Sequence, residues 1–206
     1  MNALDTSAEP LDIAAIAAAL GDLARRFDID VLAECDSTNT RLMAMAETGA
    51  PSGSVLAAEQ QTAGRGRRGR SWLSTSGNSL TFSLVWRFPH DTALDGLSLA
   101  VGVALARGLE SIGIGGIALK WPNDVLLDGR KLAGILIELA PGPRPEAAVI
   151  GIGLNLRLPQ DLPEELSATV AALCDVGGEL PSRNVLLAQL LRALHEQLVD
   201  FTRHGF

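Results

Sequence analysis

Tyrosine is absent, cysteine occurs twice, and aromatic residues make up only 4% of the 206 residues. Two cysteines, Cys35 and Cys174, are too few and too far apart for a disulfide framework or a paired-cysteine metal site. Both are therefore expected as reduced, buried thiols of a cytoplasmic protein. The longest uncharged run in the middle of the chain, Gly96 to Ala106, ends at Arg107 and falls short of the roughly 18 residues of a membrane span. The apolar stretch Ile13 to Leu20 is preceded by Asp5, Glu9 and Asp12 where a secretion signal carries Lys or Arg, so it is expected to be a helix of the mature protein. Basic charge is also short: 17 Lys and Arg against 24 Asp and Glu give a net charge of −7. That balance argues against a nucleic-acid coat or a protein of anionic membrane surfaces.

What remains is ordinary globular composition, 47% hydrophobic and 20% charged. The length suits one domain, 1–206, able to bury about 70% of its unfolded surface without staples. No internal repeat of domain-building length is present. Asp12 to Phe27 carries Ile13, Ile16, Leu20, Leu23 and Phe27 at helical spacing. Ile29 to Glu34 reads as a strand, and Ser37 or Thr38 can cap a helix running to Glu47. A short strand, Val55 to Ala58, leads into a long Gly, Arg and Ser-rich loop, Gln60 to Asn78, of the kind that is usually functional or disordered.

Leu80, Phe82, Leu84 and Trp86 alternate with Thr81, Ser83 and Val85, the pattern of a half-buried strand. Ala93 to Ile112 predicts an apolar helix. Four further apolar runs follow at Ala118 to Trp121, Val125 to Leu127, Lys131 to Leu139 and Ala147 to Leu156, with Asp128-Gly129 as a strong hairpin signal. Pro141, Pro143 and Pro145 predict an exposed loop. Leu166 to Cys174 is weakly helical and Arg183 to Phe201 strongly so. Hairpins with helices at either end make the class α+β, with a mixed, mostly antiparallel sheet.

Four of the basic residues crowd into Gly64-Arg65-Gly66-Arg67-Arg68-Gly69-Arg70. A literal G-x-G-x-x-G is present, but no apolar helix follows it, which excludes a dinucleotide fold. Mobile backbone and several guanidinium forks suit a loop closing on a small polyanion, although a solvated basic patch or a nucleic-acid contact has the same composition. Lys120 to Asp124 places Asn123 and Asp124 on a rigid turn. Both are hard oxygen ligands suited to magnesium, and equally ordinary turn residues. Lys131 stands at the start of an apolar strand, where an unpaired ammonium is costly, so it needs an anionic partner or must snorkel outward. Asn155 in an apolar strand likewise needs backbone or ligand partners. Ser37, Thr38 and Asn39 can cap a helix or form an anion or amide site. No role is assigned to His90, His195 or His204, and Cys35 is expected to be a core thiol.

In order and spacing, Asp36 to Asn39, Glu59 to Trp72, Lys120 to Asp124, Arg130 to Glu138 and Gly151 to Leu156 resemble the biotin protein ligases, which join biotin to the carrier domain of acetyl-CoA carboxylase. The resemblance covers residues 36–156. It implies a catalytic domain related to class II aminoacyl-tRNA synthetases and lipoate ligases, in agreement with the α+β class. It further implies that biotin is activated by ATP and Mg²⁺ as biotinyl-5′-AMP and passed to a lysine of the biotin carboxyl carrier protein. Ser37, Thr38, Asn39 and Gln61 would contact the ureido ring, with Gly134 also lining the biotin site. Arg65, Gly66 and Arg67 would clamp the carboxylate and later the adenylate. Lys131 would bridge carboxylate and α-phosphate, so Lys131, Arg65 and Arg67 form the catalytic set. Arg67, Arg70, Trp72, Asn123, Lys131 and Asn155 would meet the nucleotide, and Asp124 the magnesium or the acceptor lysine.

Repressor members of that family carry an N-terminal helix-turn-helix, whereas some 35 residues precede Ser37 here, so no DNA partner is expected. The resemblance also implies a C-terminal SH3-like domain, expected to be absent from a chain ending at Phe206. The expected consequence is good biotin binding with weaker handling of ATP or carrier. A homodimer is left open, and no membrane partner is expected. The alternatives are a lipoate or octanoyl transferase of the same fold, disfavoured by the arginine loop, and a biotin-binding sensor without catalysis.

Overall fold

Asp12 starts the first helix, α1 (Ile13–Leu20), by accepting a hydrogen bond from the Ala15 amide at 2.7 Å. Residues 9–140, 147–159, 162–177 and 181–206 are described by the structure, a computed structural model. The predicted helix Asp12 to Phe27 is two elements, because Gly21 at φ +61° interrupts it and Gly21–Arg26 continues as a 3₁₀ turn. Strand β1 (Asp28–Cys35), helix α2 (Thr38–Glu47, capped by Ser37), β2 (Ser54–Gln61) and β3 (Ser79–Arg87) follow. Helix α3 begins at Leu97 rather than Ala93 and runs to Glu110, its start fixed by left-handed Gly96.

Three strands joined by two short antiparallel connections come next: β4 (Ile117–Lys120), β5 (Asp124–Leu127) and β6 (Arg130–Leu139). Asp128 and Gly129 both take positive φ, +48° and +79°, as a tight hairpin turn between β5 and β6 requires. Strand β7 (Ala147–Asn155) completes the sheet, and the proline loop at 141, 143 and 145 lies outside the described residues. The predicted helix Leu166 to Cys174 is reduced to α4 (Glu164–Ser167). After a turn at 168–169 the chain bridges to the start of β6 instead of continuing as helix: the Lys131 amide donates to Thr169 O at 2.9 Å and the Ala171 amide to Lys131 O at 2.8 Å. A 3₁₀ turn at Leu173–Val176 then buries Leu173 and leaves Cys174 exposed, so only Cys35 fulfils the expectation of a buried thiol. Burial first, and Asp36 beside it second, raise the Cys35 thiol pKa. Helix α5 (Arg183–His204) ends the chain. Among the described residues no helix is long and apolar enough to cross a membrane.

The seven strands form one mixed sheet in the order β1-β2-β3-β7-β6-β5-β4, parallel only between β1 and β2. Alternation along the strands gives its two faces opposite characters. Leu80, Phe82, Leu84 and Trp86 of β3, with Ile150, Ile152 and Leu154 of β7, join the large core formed with α1, α3 and α5. The other face carries a small cluster under α2, made by Leu42, Ala46, Leu56, Val85 and Val149. Beside that cluster the face turns to Thr81, Ser83, Gly151, Gly153 and Asn155, leaving a polar, low floor not filled by side chains of the large core.

A buried ion pair ties the N-terminal segment to this frame. Arg183 Nη2 lies 2.7 Å from Glu59, with side-chain exposures of 6% and 16%. Arg183 also donates to Glu9 O, while Glu59 accepts from the Leu11 amide. Arg183→Ala strands the Glu59 carboxylate and is expected to cost about 3–5 kcal/mol in a urea titration; a loss under about 1 kcal/mol would show the pair to be dispensable. His195 packs edge-on against Phe27 and Trp86 at 6.0 and 5.6 Å. Burial, then Arg26, lowers its pKa below the ordinary 6.5. The unfolded chain therefore takes up a proton first, so this contribution is complete above pH 6.5 and is lost as pH falls through the lowered folded value. His195→Gln is expected to flatten that acid-side slope of stability; an unchanged slope would contradict the assignment.

Candidate active site

The low floor opens into a cavity of about 350 Å³, a size suited to a small-molecule ligand. Its inner end is polar. Thr38, 3% exposed at the start of α2, donates from its amide to Gln61 Oε1 at 2.7 Å. Its hydroxyl lies 2.8 Å from that of Ser83, which donates to Asn39 Oδ1 at 2.9 Å. Ser37 lines the same end while capping α2. Asn39 reaches this position because Gly151 has no side chain; a Cβ there would overlap its amide oxygen. Exposed Asp36 beside this end is held below the ordinary carboxylate range by the hydrogen bond from Arg41.

The wall and mouth are cationic. The arginine loop is a tight turn: the Gly66 amide donates to Arg70 O at 2.7 Å and the Trp72 amide to Gly64 O at 2.9 Å. Gly64 serves close backbone approach to Trp72 within the loop, where a Cβ would overlap the Trp72 carbonyl oxygen. Arg67 donates to Asn123 Oδ1 at 3.3 Å, and Asn123 is itself fixed by donating to Ile135 O at 2.8 Å. The partner that Lys131 needs is Asp124, 2.8 Å away on the adjacent strand. Arg70, Trp72, Gly134 and Asn155 also line the cavity. The Asn155 amide donates to Ala171 O at 3.0 Å and Lys131 O at 3.4 Å, joining β6, β7 and the 169–171 segment. Arg65 differs from its neighbours, since its guanidinium is taken by Glu138 at 2.7 and 3.1 Å.

Trp72 rests on the floor where Gly134 and Gly153 are cross-strand partners. Its ring centroid is 5.7 Å from Lys131 Nζ, within cation–π range. Several polar residues at or beside the cavity escaped assignment from sequence, among them Ser83, Asn78, Ser79, Arg157 and Glu138. Alternation on β3 was the signal for the first, since Ser83 falls on the face opposite Phe82 and Leu84. Glu138 shares the two-residue period of Gly134 and Leu136. The apolar rim made by Leu158, Leu162, Leu166 and Val170 carried no such signal.

Among the described residues no three His, Cys, Asp or Glu side chains cluster as metal ligands. Asp124 stands behind the lining residue Lys131, 2.8 Å from its Nζ, and is the hard carboxylate nearest the expected phosphates. That donor set suits magnesium carried by substrate phosphates and mostly hydrated, not a cage made by the protein.

Residues 31–155 match a family model described as the biotin/lipoate A/B protein ligase family. The chain belongs to this family. Over 181 residues it is 40% identical to the bifunctional ligase/repressor BirA of Escherichia coli, covering 86% of this chain and 55% of that protein. It is 40% identical over 179 residues to the biotin--[acetyl-CoA-carboxylase] ligase of Mycobacterium tuberculosis, covering 84% and 65%. The chain thus spans between half and two thirds of these relatives. A biotin protein ligase from Aquifex aeolicus in complex with biotin and ATP has a TM-score of 0.75 and 34% identity, over 86% of this chain and 73% of that one. The mixed, mostly antiparallel sheet flanked by helices is the fold of these ligases, as expected.

In this member of the biotin/lipoate ligase family, the glycine floor sets the position of the indole. A Cβ on Gly153 would overlap the Trp72 ring, so Gly153→Ala is expected to expel it. In a background lacking Trp86 and Trp121, Trp72 emission should shift to the red and become quenchable by acrylamide; an unchanged spectrum would contradict this seating.

Proposed function

We propose that this chain is the catalytic part of an ATP-dependent biotin protein ligase that activates biotin as biotinyl-5′-AMP. The acyl group then passes to a lysine of the biotin carboxyl carrier protein of acetyl-CoA carboxylase, in the cytoplasm. The observation that carries this reading is one cavity joining a neutral hydrogen-bonding end, built from Thr38, Asn39, Gln61 and Ser83, to a mouth lined by Arg67, Arg70 and Lys131. A ureido ring offers both donors and acceptors to the first, and a carboxylate beside a triphosphate suits the second. The names of the relatives support the same substrates.

In the first step a biotin carboxylate oxygen attacks the α-phosphorus of ATP, the new P–O bond forms, and pyrophosphate leaves with the electron pair of the broken bond. The substrate is its own nucleophile, so the site needs no Ser, Cys or His in that role. What it must provide is positive charge and alignment. Lys131 sits where it can leave Asp124 for the incoming anions, and Arg67 is aimed by Asn123. Magnesium, with Asp124 as its one protein ligand, would neutralise phosphate charge. In the second step the acceptor amine attacks the acyl carbonyl and AMP departs, its phosphate charge met by the same cations. A mixed anhydride is destroyed by water, a hazard that an arginine loop covering the cavity would reduce.

The test is pyrophosphate release and bound biotinyl-AMP by mass spectrometry after mixing the protein with biotin, ATP and Mg²⁺. Lys131→Ala is expected to slow adenylation by about 10²–10³ while leaving the midpoint of thermal unfolding nearly unchanged. Normal adenylation by that variant would remove Lys131 from the mechanism. Biotin binding without pyrophosphate release by the unaltered protein would favour a sensor.

A further inference from the structure

Glu138 is a carboxylate beside a cavity that we read as receiving two anions, and nothing in the reaction calls for negative charge there. Its charge is instead consumed by three donors. Arg65 Nη2 lies 2.7 Å from Oε1, Arg65 Nη1 3.1 Å from Oε2, and Asn39 Nδ2 2.7 Å from Oε2. Arg65 Nη1 also donates to Thr40 Oγ1 at 3.3 Å. One residue of β6 thereby holds the arginine loop and the start of α2 together. The fork-to-fork geometry on Arg65 is the arrangement a guanidinium takes with a bound carboxylate, so that guanidinium is already occupied. With Nδ2 of Asn39 committed to Glu138, its Oδ1 is turned to Ser83 and the inner floor.

We infer that Glu138 is a positioning residue for the acyl substrate: through Arg65 it ties the arginine loop down over the cavity, and through Asn39 it fixes which end of that amide faces the ureido site. This rests on the reading of the cavity as a biotin site. It also divides the labour among the arginines: the Arg65 side chain is a tether, and the carboxylate clamp falls to Arg67 and Lys131. Substrate is thus gripped by a loop whose seat is fixed from outside the reacting centre.

The experiment compares unaltered protein, Glu138→Ala and the reversed pair R65E/E138R, in amide hydrogen exchange and in adenylation kinetics. Glu138→Ala is expected to speed exchange of residues 64–70 about tenfold and to raise KM for biotin about tenfold, with kcat for adenylation within about twofold. The reversed pair should return exchange to within about threefold of the unaltered protein, because it restores the tether with opposite polarity. Unchanged exchange or unchanged KM in Glu138→Ala, or fast exchange in the reversed pair, would overturn the inference. If the unaltered protein forms no adenylate, the ligase reading fails by itself. Exchange together with calorimetric biotin affinity of the same variants then decides the role of Glu138.

Discussion

Two anions do not approach each other unless positive charge is already waiting for them, and positive charge does not wait in a half-buried cleft without a partner. In the proposed reaction this constraint organises the site. Lys131 is held by Asp124 on the adjacent strand, Arg65 by Glu138 on β6, and Arg67 by the neutral amide oxygen of Asn123. Before any ligand arrives these partners keep the cations solvated by protein and in place, and in the proposed reaction Lys131 exchanges Asp124 for the incoming anions. The graded strength of these partners matters as well. A cation on an amide is easier to recruit than one in a bidentate carboxylate pair, which supports the separate roles proposed for Arg67 and Arg65.

The sheet supplies the distances. Because side chains alternate across a strand, one face of β3, β6 and β7 fills the large core while the other carries Ser83, Gly134, Gly151, Gly153, Asn155 and Glu138. The glycines lower that face enough for Asn39 and Trp72 to lie on it, and α2 covers only part of it. The depth of the cavity is therefore a property of the strands, and its charge is a property of the loop and strand ends. The buried Arg183–Glu59 pair anchors the N-terminal segment beside β2, the strand that also delivers Gln61.

Much of this was legible in the chain. The period of two in Leu80 to Trp86 located the central strand and its apolar face, the Asp128-Gly129 pair located a hairpin, and the crowding of arginines located the mouth. The requirement that Lys131 have a partner was visible too, although its identity, Asp124, depended on strand pairing. What was not legible depended on tertiary contacts. Leu166 to Cys174 has weak helical spacing, but hydrogen bonds to the start of β6 outcompete the helix. Gly21 looks like any helix glycine until its φ is known. The period of two places Glu138 on the Gly134 face, but its partners Asn39 and Arg65 are distant in sequence and meet it only in the folded chain.

The central proposal is that these placed cations bring a carboxylate to the α-phosphorus of ATP. Biotin carrying ¹⁸O in both carboxylate oxygens tests it most directly, with ATP, Mg²⁺ and the intact protein, followed by release of the acyl group with hydroxylamine. Attack at the α-phosphorus leaves one biotin oxygen on the nucleotide, so AMP should carry a single ¹⁸O and pyrophosphate none. Unlabelled AMP, or ADP as the nucleotide product, would contradict it.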